Sequence, residues 1–178
     1  MNKENLEYKI DARENDVVIY IELGIEIIER GEIEQFLKSL VLQKGLKLIF
    51  SNNPGNYNNK NGNKNIQIHS LNQNINPEDI DFAITTGEYN LLNDLLMMNI
   101  PTLCLVNEKI LQQVVRSEVA AGNGSVISIP DSSPERVISA AMERLLDGDV
   151  RARMKTAGRK FVKPNGSAQV ADWILKNK

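Results

Sequence analysis

One cysteine and one histidine stand in a chain of 178 residues, and their scarcity removes several kinds of chemistry at once. Cys104 has no partner for an intrachain disulfide and lies in the apolar run PTLCLV, so it reads as a small core hydrophobe. His69 has no second metal ligand or carboxylate near it in sequence, and such a histidine reads as structural. No metal-ligand spacing, Gly-x-Ser-x-Gly nucleophile turn, Walker loop or Gly-x-Gly-x-x-Gly appears, so no catalytic residue is assigned and neither a metal nor a cofactor is implied. Charge of one sign is also missing: the formal net charge is −2, which disfavours nucleic acid or an anionic lipid surface as partner. No apolar run approaches the roughly 20 residues of a membrane span, and the start MNKENLEYKIDAREND has no apolar leader, so a cytoplasmic, bacterial-type protein is expected.

What is present is a globular composition, 42% hydrophobic and 25% charged, in a length that fits one domain. Residues 1–15 read as a polar extension and residues 16–178 as a single α/β domain. VVIYIEL at 17–23 is a β-branched strand followed by Gly24. A helical pattern runs from Glu26 to about Lys44, with Ile33, Phe36, Leu37, Leu40 and Val41 on one face. LKLIF at 46–50 is the next strand, and SNNPGNYNNKNGNKN at 51–65 a flexible surface loop, because Asn, Gly and Pro displace core-forming residues. Residues 66–69 read as a short strand ending at His69, and Asn76-Pro77-Glu78 as a brief helical turn.

Residues 81–129 carry the clearest signal: buried strand, polar turn, amphipathic helix, strand, polar turn, helix, strand. This is the grammar of a mostly parallel sheet of about six strands with crossover helices, a three-layer Rossmann-like domain. Ligands on such sheets bind at the carboxyl ends of the strands, which points to the turns 85–90 and 107–113. Thr85-Thr86-Gly87-Glu88 opens a helix whose start offers free amides and partial positive charge to a phosphate. The same residues are spaced as a capping box, with Thr85 and Glu88 satisfying the helix start themselves. Asp94 follows Asn90 by four residues on one helix face, where it either accepts hydrogen bonds from a ribose diol or is an exposed helix residue without a ligand. Asn107 reads as a helix cap, and the amides of Gln112 and Gln113 either hold sugar hydroxyls or face solvent.

After Ile129, Ser132-Ser133-Pro134-Glu135 starts a helix with Val137, Ile138, Ala141 and Leu145 as its buried stripe. Asp147-Gly148-Asp149 ends it and caps the next, whose Arg151, Arg153, Lys155, Arg159 and Lys160 read as a solvated face. A terminal helix at 168–175 offers Val170, Trp173 and Ile174 for docking.

From residue 81 onward this pattern resembles the carboxyl-terminal, nucleotide-sugar-binding half of GT-B enzymes. It is most similar to predicted glycosyltransferases of spore-coat polysaccharide synthesis and the UDP-sugar hydrolase of the pseudaminic acid pathway, and more distantly to the peptidoglycan N-acetylglucosaminyltransferase. Asp94 stands seven residues before Pro101, where the family commonly has Glu, and the resemblance gives it the ribose. It likewise gives Thr86, Gly87, Tyr89 and Asn90 the diphosphate and Gln112 with Gln113 the sugar. The implied ligand is a UDP-type nucleotide sugar, with catalysis requiring an amino-terminal domain or a partner chain. The alternative is a GT-B-like domain that has lost its nucleotide and serves as an interaction or assembly module.

Overall fold

A computed structural model of the protein describes residues 10–51, 64–68, 75–161 and 167–176. The expected loop core at 52–63 and His69 lie outside the described residues. Six strands form one sheet: β1 (Val17–Glu22), β2 (Leu46–Phe50), β3 (Ile66–Ile68), β4 (Phe82–Thr85), β5 (Thr102–Val106) and β6 (Val126–Pro130). Their order is β3-β2-β1-β4-β5-β6, and every pairing is parallel. The chain therefore builds outward from β1 to one edge, returns to lay β4 beside β1, and builds outward to the other edge. That reversal leaves a crevice between the carboxyl ends of β1 and β4, the place where open parallel sheets take ligands.

Among the described residues the helices are α1 (Ile25–Ile28), α2 (Gly31–Leu42), α3 (Tyr89–Met97), α4 (Leu111–Gly122), α5 (Glu135–Leu146), α6 (Gly148–Phe161) and α7 (Ser167–Lys176), with the expected short helical turn at Pro77–Asp79. On one face of the sheet, Ile33, Phe36, Leu37 and Leu40 of α2 and Ile138, Met142 and Leu145 of α5 pack over Ile19, Ile21, Leu48, Phe82 and Ile84. On the other, Leu92 and Leu96 of α3 and Ala120 of α4 cover Cys104, Val106 and Val126. Leu95 of α3 also packs on Ala83, and Ile10 and Ile75 pack on Val18 and Ile49, so β2, β4 and β5 are buried throughout instead of alternating.

The single helix expected from Glu26 onward is broken in two, because Arg30 is extended (φ −72°, ψ 130°) ahead of Gly31. The break lets Ile27 and Ile28 reach the same core as Ile33. Val137, expected in the α5 stripe, is 38% exposed; the buried residues of α5 are Ile138, Ala141, Leu145 and, unforeseen, Met142. The amino end of α5 has no cap of its own; Glu32 of α2 accepts from the Glu135 amide at 2.9 Å. Arg151 is not part of a solvated face. It donates to Leu145 O and Leu146 O at the end of α5 and pairs with Asp81, its side chain only 16% exposed. From there α6 crosses the amino ends of the strands, with Gly158 beside Asn99 and Ser125. Val170, Trp173 and Ile174 of α7, expected to dock, are at least half exposed.

Burial pushes the Cys104 thiol up to about 12 from its ordinary 9.0. The folded chain therefore keeps a neutral thiol where the unfolded chain begins to ionise. That contribution is intact below pH 9 and is lost as pH rises from 9 to 12. Cys104→Ala is expected to flatten the alkaline decline in urea stability, and the native thiol to resist Ellman's reagent at pH 8 until denaturant is added.

Candidate functional site

The carboxyl ends of β1, β4, β5 and β6 open into one cleft of about 300 Å³. Glu22, Leu23 and Gly24 line it from β1, Thr86 and Glu88 from the turn after β4, Leu105 and Asn107 from β5, and Asp131 from the end of β6. Arg30, Ile27, Leu91, Ile110 and Gln113 close it from the helices and their approaches.

Strand register places Glu22 in its wall. Glu22 pairs with Thr85, Thr85 with Cys104, and Cys104 with Ser128, so these four point to the same sheet face in one row. One layer below, the Tyr20 hydroxyl donates to Glu22 Oε2 at 2.8 Å. Burial, then the hydrogen bond and charge of Glu22, raise the Tyr20 phenol above the ordinary tyrosine range, so it remains a donor at every physiological pH. Thr85 Oγ1 is buried with no hydrogen-bond partner among the described residues.

The capping box does not form. Thr85 belongs to β4, fully buried, and Glu88 is itself the residue before α3, with no side-chain cap hydrogen bond. Pairing with β1 and β5 holds Thr85 in the strand, and Gly87 at φ 74° then turns the chain into α3. A Cβ at Gly87 would lie 3.9 Å from Cys104 Sγ, an ordinary contact, so the requirement there is backbone conformation. Gly87→Ala is expected to cost about 1 to 2 kcal/mol in a urea melt.

Asn107 does not cap α4, whose preceding residue is Ile110. Its side chain instead accepts from the Lys109 amide at 3.0 Å, and its own amide donates to Gln113 Oε1 at 3.3 Å. Gln113 is thereby folded back against the cleft wall. Both α3 and α4 thus begin at the cleft without a side-chain cap.

Of the residues expected to bind, Thr86 and Gln113 line the cleft. Gly87 shapes the turn beside it. Tyr89, Asn90, Asp94 and Gln112 are exposed and lie outside the lining. The Arg116 guanidinium stacks over the Tyr89 ring, 4.0 Å from its centroid, and links α3 to α4. The sequence reading missed Arg30 and Asp131, which form an ion pair across the cleft with Asp131 nearly buried. An acid directly after an apolar strand was the available signal for Asp131; nothing local marked Arg30 as its partner. The cleft is acidic on balance, with Glu22, Glu88 and Asp131 against the single cation Arg30. No group of three or more metal-ligating side chains occurs among the described residues.

No family model and no curated protein matches the chain. Solved structures do. The glycosyltransferase of kitacinnamycin is 17% identical with a TM-score of 0.69, over 99% of this chain and 46% of its own. Acinetobacter baumannii MurG is 14% identical with a TM-score of 0.67, over 95% and 55%. The spinosyn rhamnosyltransferase SpnG, complexed with thymidine diphosphate, is 14% identical with a TM-score of 0.62, over 91% and 46%. The fold is GT-B C-terminal-like. The chain spans about half the length of these glycosyltransferases.

Proposed function

We propose that this chain is the nucleotide-sugar-binding part of a glycosyltransferase or nucleotide-sugar hydrolase, and that a UDP-type donor occupies the cleft at the strand ends. The observation that carries the reading is the position of the cleft. It opens at the reversal of strand order, where two helix starts without side-chain caps converge on polar lining residues. In this reading Thr86 and the first amides of α3 meet the diphosphate beside Gly87, with Tyr89 and Asn90 on its outer side. Gln113, and Gln112 at the rim, take sugar hydroxyls, and Asp94 holds the ribose of a nucleotide lying along the exposed side of α3. The acceptor and catalytic base come from an amino-terminal domain or a partner chain. Synthesis of a surface polysaccharide or glycan, such as that of the spore coat, in a bacterial cytoplasm is the setting the resemblance favours. No helix among the described residues is long and apolar enough to cross a membrane.

Calorimetric titration with UDP and UDP-N-acetylglucosamine tests this. Saturable binding by wild type is expected, weakened about tenfold in both Asp94→Ala and Thr86→Val. Binding unchanged in both variants would remove the nucleotide from these positions.

A second reading, an assembly module without a nucleotide, is favoured by one feature. Leu111, Val115 and Val119 form a stripe along α4, 73%, 50% and 54% exposed, that begins at the cleft rim. Failure of every nucleotide to bind, together with self-association abolished by Val115→Asp, would make it the better account.

A further inference from the structure

The sheet edge farthest from β3 carries a groove of a different character. Among the described residues β6 pairs only with β5, so its outer side has no strand partner. A groove of about 550 Å³ runs against Val126, Ile127 and Ser128 of that strand, with Val150 and Met154 of α6 as its apolar wall. Arg144, from the last turn of α5, and Arg153 of α6 also line it. A neighbouring hollow of about 430 Å³ shares Arg153 and extends to Lys160. No carboxylate lines either space, and among the described residues none of these three cations has an ion pair. In a chain of net charge −2, this collects unneutralised positive charge beside an open strand. The strand itself, VISIP, has no charged residue, and only Pro130 at its end discourages pairing.

We propose that this edge docks an acidic segment of a partner protein in extended conformation, which joins the sheet beside β6. Main-chain hydrogen bonds to the strand would supply affinity without regard to sequence, and alternate side chains would supply selectivity. On the α6 side, the acids at every second position would meet Arg144, Arg153 and Lys160, their methylene stems lying against Val150 and Met154, and the residues between them would point to the opposite face of the sheet. Charge favours a peptide with regularly spaced acids, and the open strand favours a peptide over a polyphosphate or nucleic acid, which has no amide backbone to pair. The inference is independent of the nucleotide cleft, which lies at the opposite ends of the strands.

The test uses the full chain and a fluorescein-labelled peptide, Asp-Val-Glu-Val-Glu-Val-Asp, followed by anisotropy. Saturable binding is expected, weakened tenfold or more by Arg153→Glu or Arg144→Glu, and lost in a peptide with lysine at each acidic position. N-methylation of alternate peptide amides should weaken binding by a similar factor, since it removes strand pairing and keeps the charge. Lys160→Glu, on an exposed position, serves as a further variant should either arginine exchange disturb folding. Absence of binding overturns the proposal. So does equal binding of the N-methylated peptide, or tighter binding of a single-stranded oligonucleotide, each of which would mean charge attraction alone.

Discussion

Arg151→Ala is expected to lower unfolding stability by about 3 kcal/mol, among the largest effects of any change outside the apolar core. The guanidinium makes two charge-assisted hydrogen bonds, 2.7 and 2.9 Å, to the carbonyls that end α5, and reaches Asp81 at 3.1 Å. Asp81 in turn accepts from the Val18 amide at 2.9 Å, at the start of the central strand β1. One side chain therefore ties the α5–α6 corner to the amino ends of β1 and β4. Removing it leaves two carbonyls without their donor and a carboxylate without its cation. With Asp81 about one-third exposed, solvent recovers part of the loss, so most of the estimate rests on the carbonyl bonds. For a domain of this size about 3 kcal/mol corresponds to a melting temperature lower by roughly 6 to 12 °C. Arg151→Lys should lose about half as much, because an ammonium on a flexible stem cannot span both carbonyls and Asp81 at once. Urea melts followed by circular dichroism decide it: a change within about 0.5 kcal/mol for Arg151→Ala would mean the corner is held by its apolar contacts alone.

Strand positions, the parallel sheet and the strand-end location of the cleft were legible in the sequence, because buried parallel strands read as short apolar runs bounded by turn residues. The first three strands lie within a residue of their expected bounds, and the other three fall, to within a residue, in the stretch from 81 to 129 that was read as strand, turn and helix. Features made by distant residues were not legible. Glu32 accepts from the amide of Glu135, 103 positions away, and Arg30 pairs with Asp131 across a similar separation. Local spacing also misled where tertiary demand was stronger. Thr85 and Glu88 have capping-box spacing, but the sheet takes Thr85 as a strand residue and the helix begins four positions later. Arg151 follows the same pattern from the other side: it looks like one of five solvated cations until the fold brings Asp81 and the end of α5 to it. The α7 stripe was legible as apolar, whereas its docking depends on what covers it, which periodicity does not encode.

Exchanging Glu22 and Glu88 together for glutamine is expected to tighten UDP binding about a hundredfold, each change contributing roughly tenfold. A diphosphate at the start of α3 would sit among the three carboxylates that line the cleft, with Arg30 already paired to Asp131. At about 8 Å and an effective dielectric of about 20 to 40, one carboxylate repels one phosphate charge by roughly 1 to 2 kcal/mol. Glu88 is exposed, so its share should shrink as salt is raised; Glu22, partly buried and braced by Tyr20, should keep its share. Glutamine at 22 preserves an acceptor for the Tyr20 hydroxyl, so this wall of the cleft keeps its shape. Affinity unchanged by Glu88→Gln at every salt concentration would move the diphosphate away from α3. Weaker binding in Glu22→Gln would reverse the role of that residue: its carboxylate would then be accepting hydrogen bonds from ligand hydroxyls, and the acidity of the cleft would select the sugar or ribose instead of opposing the phosphates.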